Sequence, residues 1–167
     1  LLLEGKARIA GRRGEQARAG TLILAAADLI ERQQLERFIG PWIWGTLAVL
    51  TDDAQTSERA LRQGEAQLAR GCLAHNALRF YVSAAETSLM SGDYKQADRY
   101  AQQLSACAHV EPCRWITHHV QLIERSSAWL LTRDAAKWHA LQAARRDAEQ
   151  LGYVATMPLL TQTVTVG

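Results

Sequence analysis

The feature that most constrains this chain is a helical pattern whose breaks recur about every 40 residues, near positions 12, 52, 92 and 133. Small and apolar residues follow the breaks in steps of three and four, which is the spacing of one face of an α helix. A fixed period of this size is typical of stacked helical hairpins, each of which buries its apolar face against its neighbours. One such set is Tyr94, Ala97, Ala101 and Leu104, and the set one period earlier is Ala54, Ser57, Leu61 and Gly64.

The segment from Gly92 to Ala101 carries the clearest repeat signature. Its glycine, tyrosine and two alanines resemble the second helix of a tetratricopeptide-type hairpin, where small residues let helix backbones approach closely. The period exceeds the roughly 34 residues of a standard tetratricopeptide unit and overlaps HEAT-type lengths. We predict an all-α fold in which about eight helices form antiparallel hairpins. These hairpins are expected to stack as a tetratricopeptide-like right-handed superhelix over a single domain, residues 1–167.

Prolines and glycines predict several helix ends. The third helix is expected to begin at Gly40-Pro41, because the first helical turn tolerates a residue without an N–H group, and to end near Thr51. Glycines in the left-handed conformation are expected just after the fourth and eighth helices, at Gly71 and Gly152. Pro158 is expected to begin a ninth helix.

Aspartates are expected to cap two equivalent helices. Asp52 with Gln55 forms one predicted capping pair, and Asp93 with Gln96 forms another at the corresponding place one repeat later. The side-chain oxygens of such a pair accept hydrogen bonds from the free N–H groups of the first helical turn. Both breaks are therefore encoded by neighbouring residues.

Composition narrows the function classes. The 167 residues are 48% hydrophobic and 22% charged, with only three prolines, as expected of an ordered globular chain. The longest apolar stretches are far shorter than the roughly 20 residues of a membrane span, and the first residues lack the pattern of a secretory signal. We therefore expect no membrane partner and a cytoplasmic location. The formal net charge of +2 is too small to indicate a polyanion partner, so direct nucleic-acid binding is not expected.

No pattern indicates a catalytic, cofactor or metal site. Cys72, Cys107 and Cys113 are odd in number and lack C-x-x-C spacing, so we expect reduced, mostly buried thiols. His118 and His119 are adjacent, point in different directions from a helix, and belong to no H-E-x-x-H motif. Phosphate-binding and dinucleotide-binding glycine motifs are also missing from the sequence. We assign no catalytic, cofactor-binding or metal-binding residue and do not expect an enzyme.

A wider set of motifs resembles one family. The motifs are Gly40-Pro41-Trp42-Ile43, Thr51-Asp52-Asp53, Gly71-Cys72-Leu73-Ala74-His75-Asn76, Phe80-Tyr81 and Glu111-Pro112. Over nearly its whole length, the chain resembles the C-terminal helical-repeat region of large bacterial signalling proteins. Those proteins carry a class III adenylate or guanylate cyclase domain and a STAND-type AAA ATPase, and similar arrays end other STAND proteins. The resemblance implies a regulatory or partner-binding array, with the nucleotide chemistry in other domains.

The candidate protein-binding residues are Trp44, Asn76, Arg79 and His119. Aromatic residues dominate interface hot spots, so Trp44 is expected to be an exposed anchor, with core packing as the alternative for the tryptophans. A concave surface made by the third, fifth and seventh helices would place the other three residues as polar contacts in a peptide groove.

Two functions are compatible with these patterns. The leading interpretation is a non-catalytic module, without cofactor, that mediates protein contacts or relays a signal to a linked cyclase and ATPase. Its partner is then another protein or those linked domains, and a homodimer is a further option. The alternative interpretation is the effector-sensing repeat domain of a STAND or LuxR-type transcription activator, which binds a small molecule in the superhelix.

Overall fold

The structure, a computed structural model, describes residues 1–110 and 113–153, and for residues 108–110 it describes the backbone alone. The described residues form eight α helices and no β strand, which confirms the all-α prediction for this part of the chain. The ninth helix predicted at Pro158 lies outside the described residues. The helices are α1 (Leu2–Arg12), α2 (Gln16–Arg32), α3 (Glu36–Leu50), α4 (Ala54–Ala69), α5 (Ala74–Ser91), α6 (Tyr94–Val110), α7 (Arg114–Thr132) and α8 (Ala135–Gln150).

The chain divides into two compact units, unit 1 from Leu1 to Ala84 and unit 2 from Ala85 to Gly167, with the boundary inside α5. In unit 1, the helices from α1 to α4 each pack against the next helix in chain order, and α1 also packs against α3. In unit 2, α6 packs against α7, and α7 packs against α8. Packing between consecutive helices is what hairpins produce, whereas the tetratricopeptide-like superhelix stays a prediction.

Alternate helices of unit 1 are joined by side-chain hydrogen bonds, and one sequence offset recurs among them. Among the side-chain hydrogen bonds that join α1 to α3 or α3 to α5, three connect residues 38 positions apart. An equal offset in successive pairs means that the same helix faces are repeated, close to the period predicted from the sequence. The pairs are Glu4 with Trp42, Arg8 with Thr46, and Phe38 with Asn76.

Each unit has its own apolar core. In unit 1, the ring of Phe80 on α5 is fully buried and lies against Gly45 of α3 and Gly64 of α4. These two glycines let three helices approach closely, which is the role that the sequence predicted for small residues. In unit 2, the fully buried side chains include one leucine or isoleucine from each helix, Leu104 of α6, Ile123 of α7 and Leu141 of α8.

One of the two predicted aspartate caps is confirmed and the other is displaced by one residue. Asp93 accepts a hydrogen bond from the backbone N–H of Gln96 at 3.0 Å. In the equivalent place before α4, Asp52 is wrong as the cap, because Asp53 directly precedes the helix and accepts from the backbone N–H of Thr56 at 2.9 Å. Hydrogen bonds from Thr56 hold the pKa of Asp53 below its usual value.

The predicted glycine helix ends are confirmed. Gly71 follows the C-cap of α4 with φ of 86°, and Gly152 follows the C-cap of α8 with φ of 75°. Both values lie in the left-handed region that glycine adopts without a steric penalty. At each of these two places, a single glycine is enough to end the helix.

Pro41 does not begin α3, contrary to the prediction. The helix begins at Glu36, so Pro41 lies inside it and provides no N–H group for the carbonyl of Arg37. The preceding turn is already helical, because the carbonyl of Leu35 accepts hydrogen bonds from the N–H groups three and four residues later, at 3.0 and 3.1 Å. A carboxylate at Glu36, in the first turn, also stabilises this earlier start.

Replacing Gln34 with glycine is expected to stabilise the chain by about 1 kcal/mol. Gln34 follows the end of α2 with φ of 54°, a left-handed conformation that is costly for any residue with a β carbon. Urea denaturation followed by circular dichroism measures the free energy of unfolding. Gln33→Gly is the matched control, because Gln33 has φ of −96° and gains nothing from glycine. A Gln34→Gly protein no more stable than wild type would contradict the prediction.

Candidate protein-binding surface

Glu4 is the centre of a polar cluster in unit 1. Its side chain is on the face of α1 that also buries Ala7 and Gly11, and the residue is 4% exposed. Its Oε1 accepts hydrogen bonds from Trp42 Nε1 at 3.0 Å and from Thr46 Oγ1 at 3.2 Å. A buried carboxylate is costly unless donors surround it, and here two donors come from α3. Glu4 therefore fixes the orientation of Trp42.

Arg8 extends the cluster to a third helix. It lies one turn after Glu4 and forms an ion pair with it. Its guanidinium also donates to Thr46 Oγ1 at 2.7 Å and to Ser83 Oγ at 3.1 Å. The carboxylate, the guanidinium and the two hydroxyls thereby connect α1, α3 and α5 within unit 1.

The half-buried ring of Trp42 lies between this cluster and the surface. The guanidinium carbon of Arg79 is 5.2 Å from the centroid of the indole, and the ring of His75 meets it edge-on at a centroid distance of 5.9 Å. Both Arg79 and His75 are exposed. We name these three residues the Trp42 surface. The arrangement places aromatic area next to a cationic group that recognises carboxylates.

Trp44 is not the exposed anchor that the sequence predicted. It is 9% exposed, and its buried Nε1 has no hydrogen-bond partner among the described residues. Its helix, α3, packs against α1, α2 and α4, and residues 43–50 are all buried. Because neighbouring helices cover α3 on several sides, a tryptophan only two positions from Trp42 points into the core.

Asn76 does not reach the surface either. The residue is fully buried, and its side-chain amide donates to the backbone carbonyl of Phe38. That carbonyl belongs to the turn of α3 that precedes Pro41. Asn76 therefore acts as a structural bridge between α5 and α3, and the predicted contact with a partner is not available to it.

His119 is also buried, at 2% exposure, so the predicted exposed polar contact is wrong. Its Nδ1 lies 2.7 Å from the carbonyl oxygen of Trp115 on the same helix, and the two rings have centroids 3.8 Å apart. His119 belongs to unit 2, whereas Asn76 and Arg79 belong to unit 1. Of the four predicted binding residues, Arg79 is the one that the structure leaves exposed.

The four binding residues predicted from the sequence did not include Glu4, Trp42 or His75. A signal for Glu4 exists, because it is a charged residue on the face of α1 that otherwise carries alanines and a glycine. Glu4 and Trp42 are 38 residues apart. The helix breaks in the sequence define a period of only about 40 residues, which is too approximate to pair these two residues. No sequence signal identifies the position of His75.

The cysteines differ in exposure. All three are free thiols, but the prediction that they are mostly buried is wrong, since Cys113 is exposed and Cys72 and Cys107 are partly exposed. Burial nevertheless raises the pKa values of the Cys72 and Cys107 thiols. A raised pKa reduces the thiolate fraction at neutral pH, and the thiolate is the reactive form.

Comparison with known proteins assigns neither a family nor a function to this chain. No protein-family model, curated protein or solved structure matches this chain. Across residues 1–107 and 113–153, no three histidine, cysteine, aspartate or glutamate side chains are grouped so that they could hold a metal ion. None of the helices in this part of the chain has the length and apolarity that crossing a membrane requires. The resemblance to cyclase-linked repeat arrays stays a prediction from the motifs.

Proposed function

We propose that this chain is a non-catalytic helical-repeat module that binds another protein, or a linked domain of its own polypeptide, through the Trp42 surface. The observation that carries the proposal is the hydrogen bond of 3.0 Å from Trp42 Nε1 to the buried Glu4. It holds a half-exposed indole in one orientation before a partner arrives. An anchor that is already ordered loses little conformational entropy on binding, which leaves more of the contact energy for affinity.

The chemistry of the surface favours a partner segment that carries an acidic side chain beside an apolar one. Tryptophan and arginine are among the residues most enriched in interface hot spots. The Arg79 guanidinium recognises a carboxylate through parallel N–H donors. The indole of Trp42 packs against an aliphatic or aromatic side chain next to that carboxylate. His75, at the edge of the indole, adds a further polar contact.

The motif resemblance supports the same class of function. In the proteins that this chain resembles, the repeat array accompanies cyclase and ATPase domains, so the partner is one of those domains or a separate signalling protein in the cytoplasm. A homodimer is a further option. The formal net charge of +2 gives no support to direct nucleic-acid binding.

One observation favours the alternative function, an effector-sensing domain of a STAND or LuxR-type activator. Such a domain needs a pocket for a small molecule, and unit 2 contains a cleft of about 650 Å³ beside His118. This volume lies within the usual range for small-molecule sites, roughly 300 to 1,000 Å³. The two functions use different residues and are tested separately.

Photo-crosslinking in the source cells tests the protein-binding proposal. With the photoreactive residue p-benzoylphenylalanine in place of His75, we expect crosslinks to a defined partner or linked domain. Arg79→Glu in the same protein is expected to reduce those crosslinks about tenfold, as loss of a hot-spot residue does. Mass spectrometry of the crosslinked peptides identifies the partner and measures the amount of crosslinked product.

The matched control carries the photoreactive residue at Arg59, which is exposed on α4 of the same unit. It should not give the same products. Equal yields from positions 75 and 59, or yields unaffected by Arg79→Glu, would show that the Trp42 surface does not bind the partner. Because Arg79 is exposed, its substitution should leave the helical circular dichroism spectrum unchanged.

A further inference from the structure

A cleft in unit 2 lies between the start of α7 and the end of α8. It has a volume of about 650 Å³, and the residues lining it include Cys113, Arg114 and His118 from the α7 side and Asp147, Gln150 and Leu151 from the α8 side. Arg114 and His118 are four residues apart on α7, so their side chains lie on the same face of that helix. The cleft is therefore lined by one face of each of two neighbouring helices.

His118 is the strongest indication that the cleft holds a ligand. The residue is 5% exposed, and its buried Nε2 has no hydrogen-bond partner among the described residues. Burial lowers the pKa of His118; the charge of Arg125 lowers it further, while Asp147 opposes the shift. The imidazole is therefore neutral at pH 7. An unpaired buried polar atom destabilises the fold, and a bound polar group would remove that cost.

The two ends of the cleft have opposite electrostatic character. At the α7 end, the N-cap residue Cys113 makes no side-chain hydrogen bond to the helix, and the positive end of the helix dipole lies next to Arg114. At the α8 end, the negative end of the helix dipole lies near Asp147. Anionic groups bind well at helix N-termini, and cationic groups are favoured at helix C-termini.

We propose that this cleft binds a small zwitterion of the α-amino acid class. The carboxylate of the ligand binds at Arg114 and the start of α7, and its ammonium group faces Asp147 at the end of α8. A polar atom of the ligand bonds to Nε2 of His118. The inference goes beyond the protein-binding proposal and does not rest on it, because every residue of the Trp42 surface belongs to unit 1.

Other ligand classes fit the cleft less well. A nucleotide or other polyphosphate needs several cationic side chains, and Arg114 is the one cationic side chain among the described residues that line the cleft. A purely apolar ligand would leave the buried Nε2 of His118 without a partner and would gain nothing from the charges of Arg114 and Asp147. One anionic group and one cationic group on the same small molecule satisfy both charged side chains.

Alkylation of Cys113 reports on occupancy of the cleft. Each of the twenty common L-amino acids is added separately to the full chain, and the rate of reaction with iodoacetamide is measured for every cysteine by peptide mass spectrometry. We expect at least one amino acid to slow the alkylation of Cys113 about fivefold or more in a saturable manner. The alkylation rates of Cys72 and Cys107, which do not line the cleft, should stay unchanged in the same samples.

Variants and ligand derivatives test the placement of the charges. Arg114→Gln and Asp147→Asn are each expected to raise the Kd about tenfold, the usual effect of losing a charge-assisted hydrogen bond. Arg146→Gln is the matched control, because Arg146 is exposed on α8 and does not line the cleft; its Kd should stay unchanged. The N-acetyl derivative of the binding amino acid lacks the ammonium charge, and the amide derivative lacks the carboxylate charge. Each should bind the wild-type protein about tenfold more weakly than the parent amino acid does.

Three results would overturn the inference. The first is that none of the twenty amino acids protects Cys113. The second is that protection persists in both Arg114→Gln and Asp147→Asn. The third is that the N-acetyl derivative binds as tightly as the parent compound, which would make the cleft a site for simple anions. None of these results bears on crosslinking at the Trp42 surface, so the two proposals can fail independently.

Discussion

Replacing Gly64 with alanine is expected to destabilise unit 1 by about 2 kcal/mol, because the added β carbon overpacks a filled core. A β carbon built on Gly64 would lie 2.7 Å from Cδ2 and 2.9 Å from Cζ of Phe80. The Phe80 ring is fully buried and packs against Gly45 as well, so it has no space into which to move. The steric cost exceeds the gain of about 1 kcal/mol that alanine normally brings to a helix interior.

Two other glycines provide matched controls for this prediction. Gly20 of α2 has no atom within 4 Å of the built β carbon, so Gly20→Ala is expected to stabilise the chain by about 1 kcal/mol. At Gly40 the neighbouring group is the flexible end of Gln67, which can rotate away, and the cost of Gly40→Ala is expected to be small. Urea denaturation measures the free energy of unfolding of each of the three variants and so ranks their stabilities. If Gly64→Ala were as stable as Gly20→Ala, the packing of Phe80 against α4 would be refuted.

Replacing Glu4 with alanine is expected to cost about 3 kcal/mol of unfolding free energy, as loss of one partner of a buried ion pair does. The substitution removes the acceptor for Trp42 Nε1 and the carboxylate that pairs with Arg8. Thr46 Oγ1 loses its acceptor on α1 at the same time. A double-mutant cycle with Arg8→Ala isolates the pairwise part, and we expect a coupling energy of about 1 to 2 kcal/mol.

The exposed pair of Glu58 and Arg62 on α4 is the matched control for that cycle. It has the same spacing of four residues and the same residue types, but both side chains are largely exposed to water. Exposed pairs of this kind are worth about 0.3 to 0.5 kcal/mol, and salt screens them. Equal coupling energies for the two pairs would mean that Glu4 is not buried in solution. If 1 M salt reduced the coupling energies of both pairs equally, that would also mean that Glu4 is not buried in solution.

The parts of the fold that could be predicted are those set by neighbouring residues. The cap at Asp93 and the left-handed glycines at Gly71 and Gly152 each require only a few consecutive residues. The start of α3 was mispredicted from equally local information. There, a helical turn before Pro41 is stabilised by contacts with other parts of the chain, including the bond from Asn76 to the Phe38 carbonyl. A rule that considers only neighbouring residues cannot include Asn76, which is 38 positions away from Phe38.

The site was harder to predict for a similar reason. Trp42 and Trp44 are two positions apart on one helix and have the same chemistry, so periodicity alone does not say which one is exposed. The directions in which α1, α2 and α4 pack against α3 decide it, because they enclose Trp44 and leave Trp42 at the boundary. The exposure of Arg79 could be predicted, because arginine is rarely buried on a helix, whereas its role in binding stays a prediction.

The hydrogen bond from Arg8 to Ser83 changes how unit 1 is expected to come apart. In an ideal repeat array each hairpin contacts only its neighbours, so the terminal helix frays first and energies add from one repeat to the next. Here Arg8 of α1 bonds to Ser83 of α5, which is 75 residues away in the sequence. Opening α1 therefore also removes a contact of α5, and the two ends of unit 1 share one cooperative transition. We therefore expect the stability of unit 1 to depart from a sum of nearest-neighbour energies.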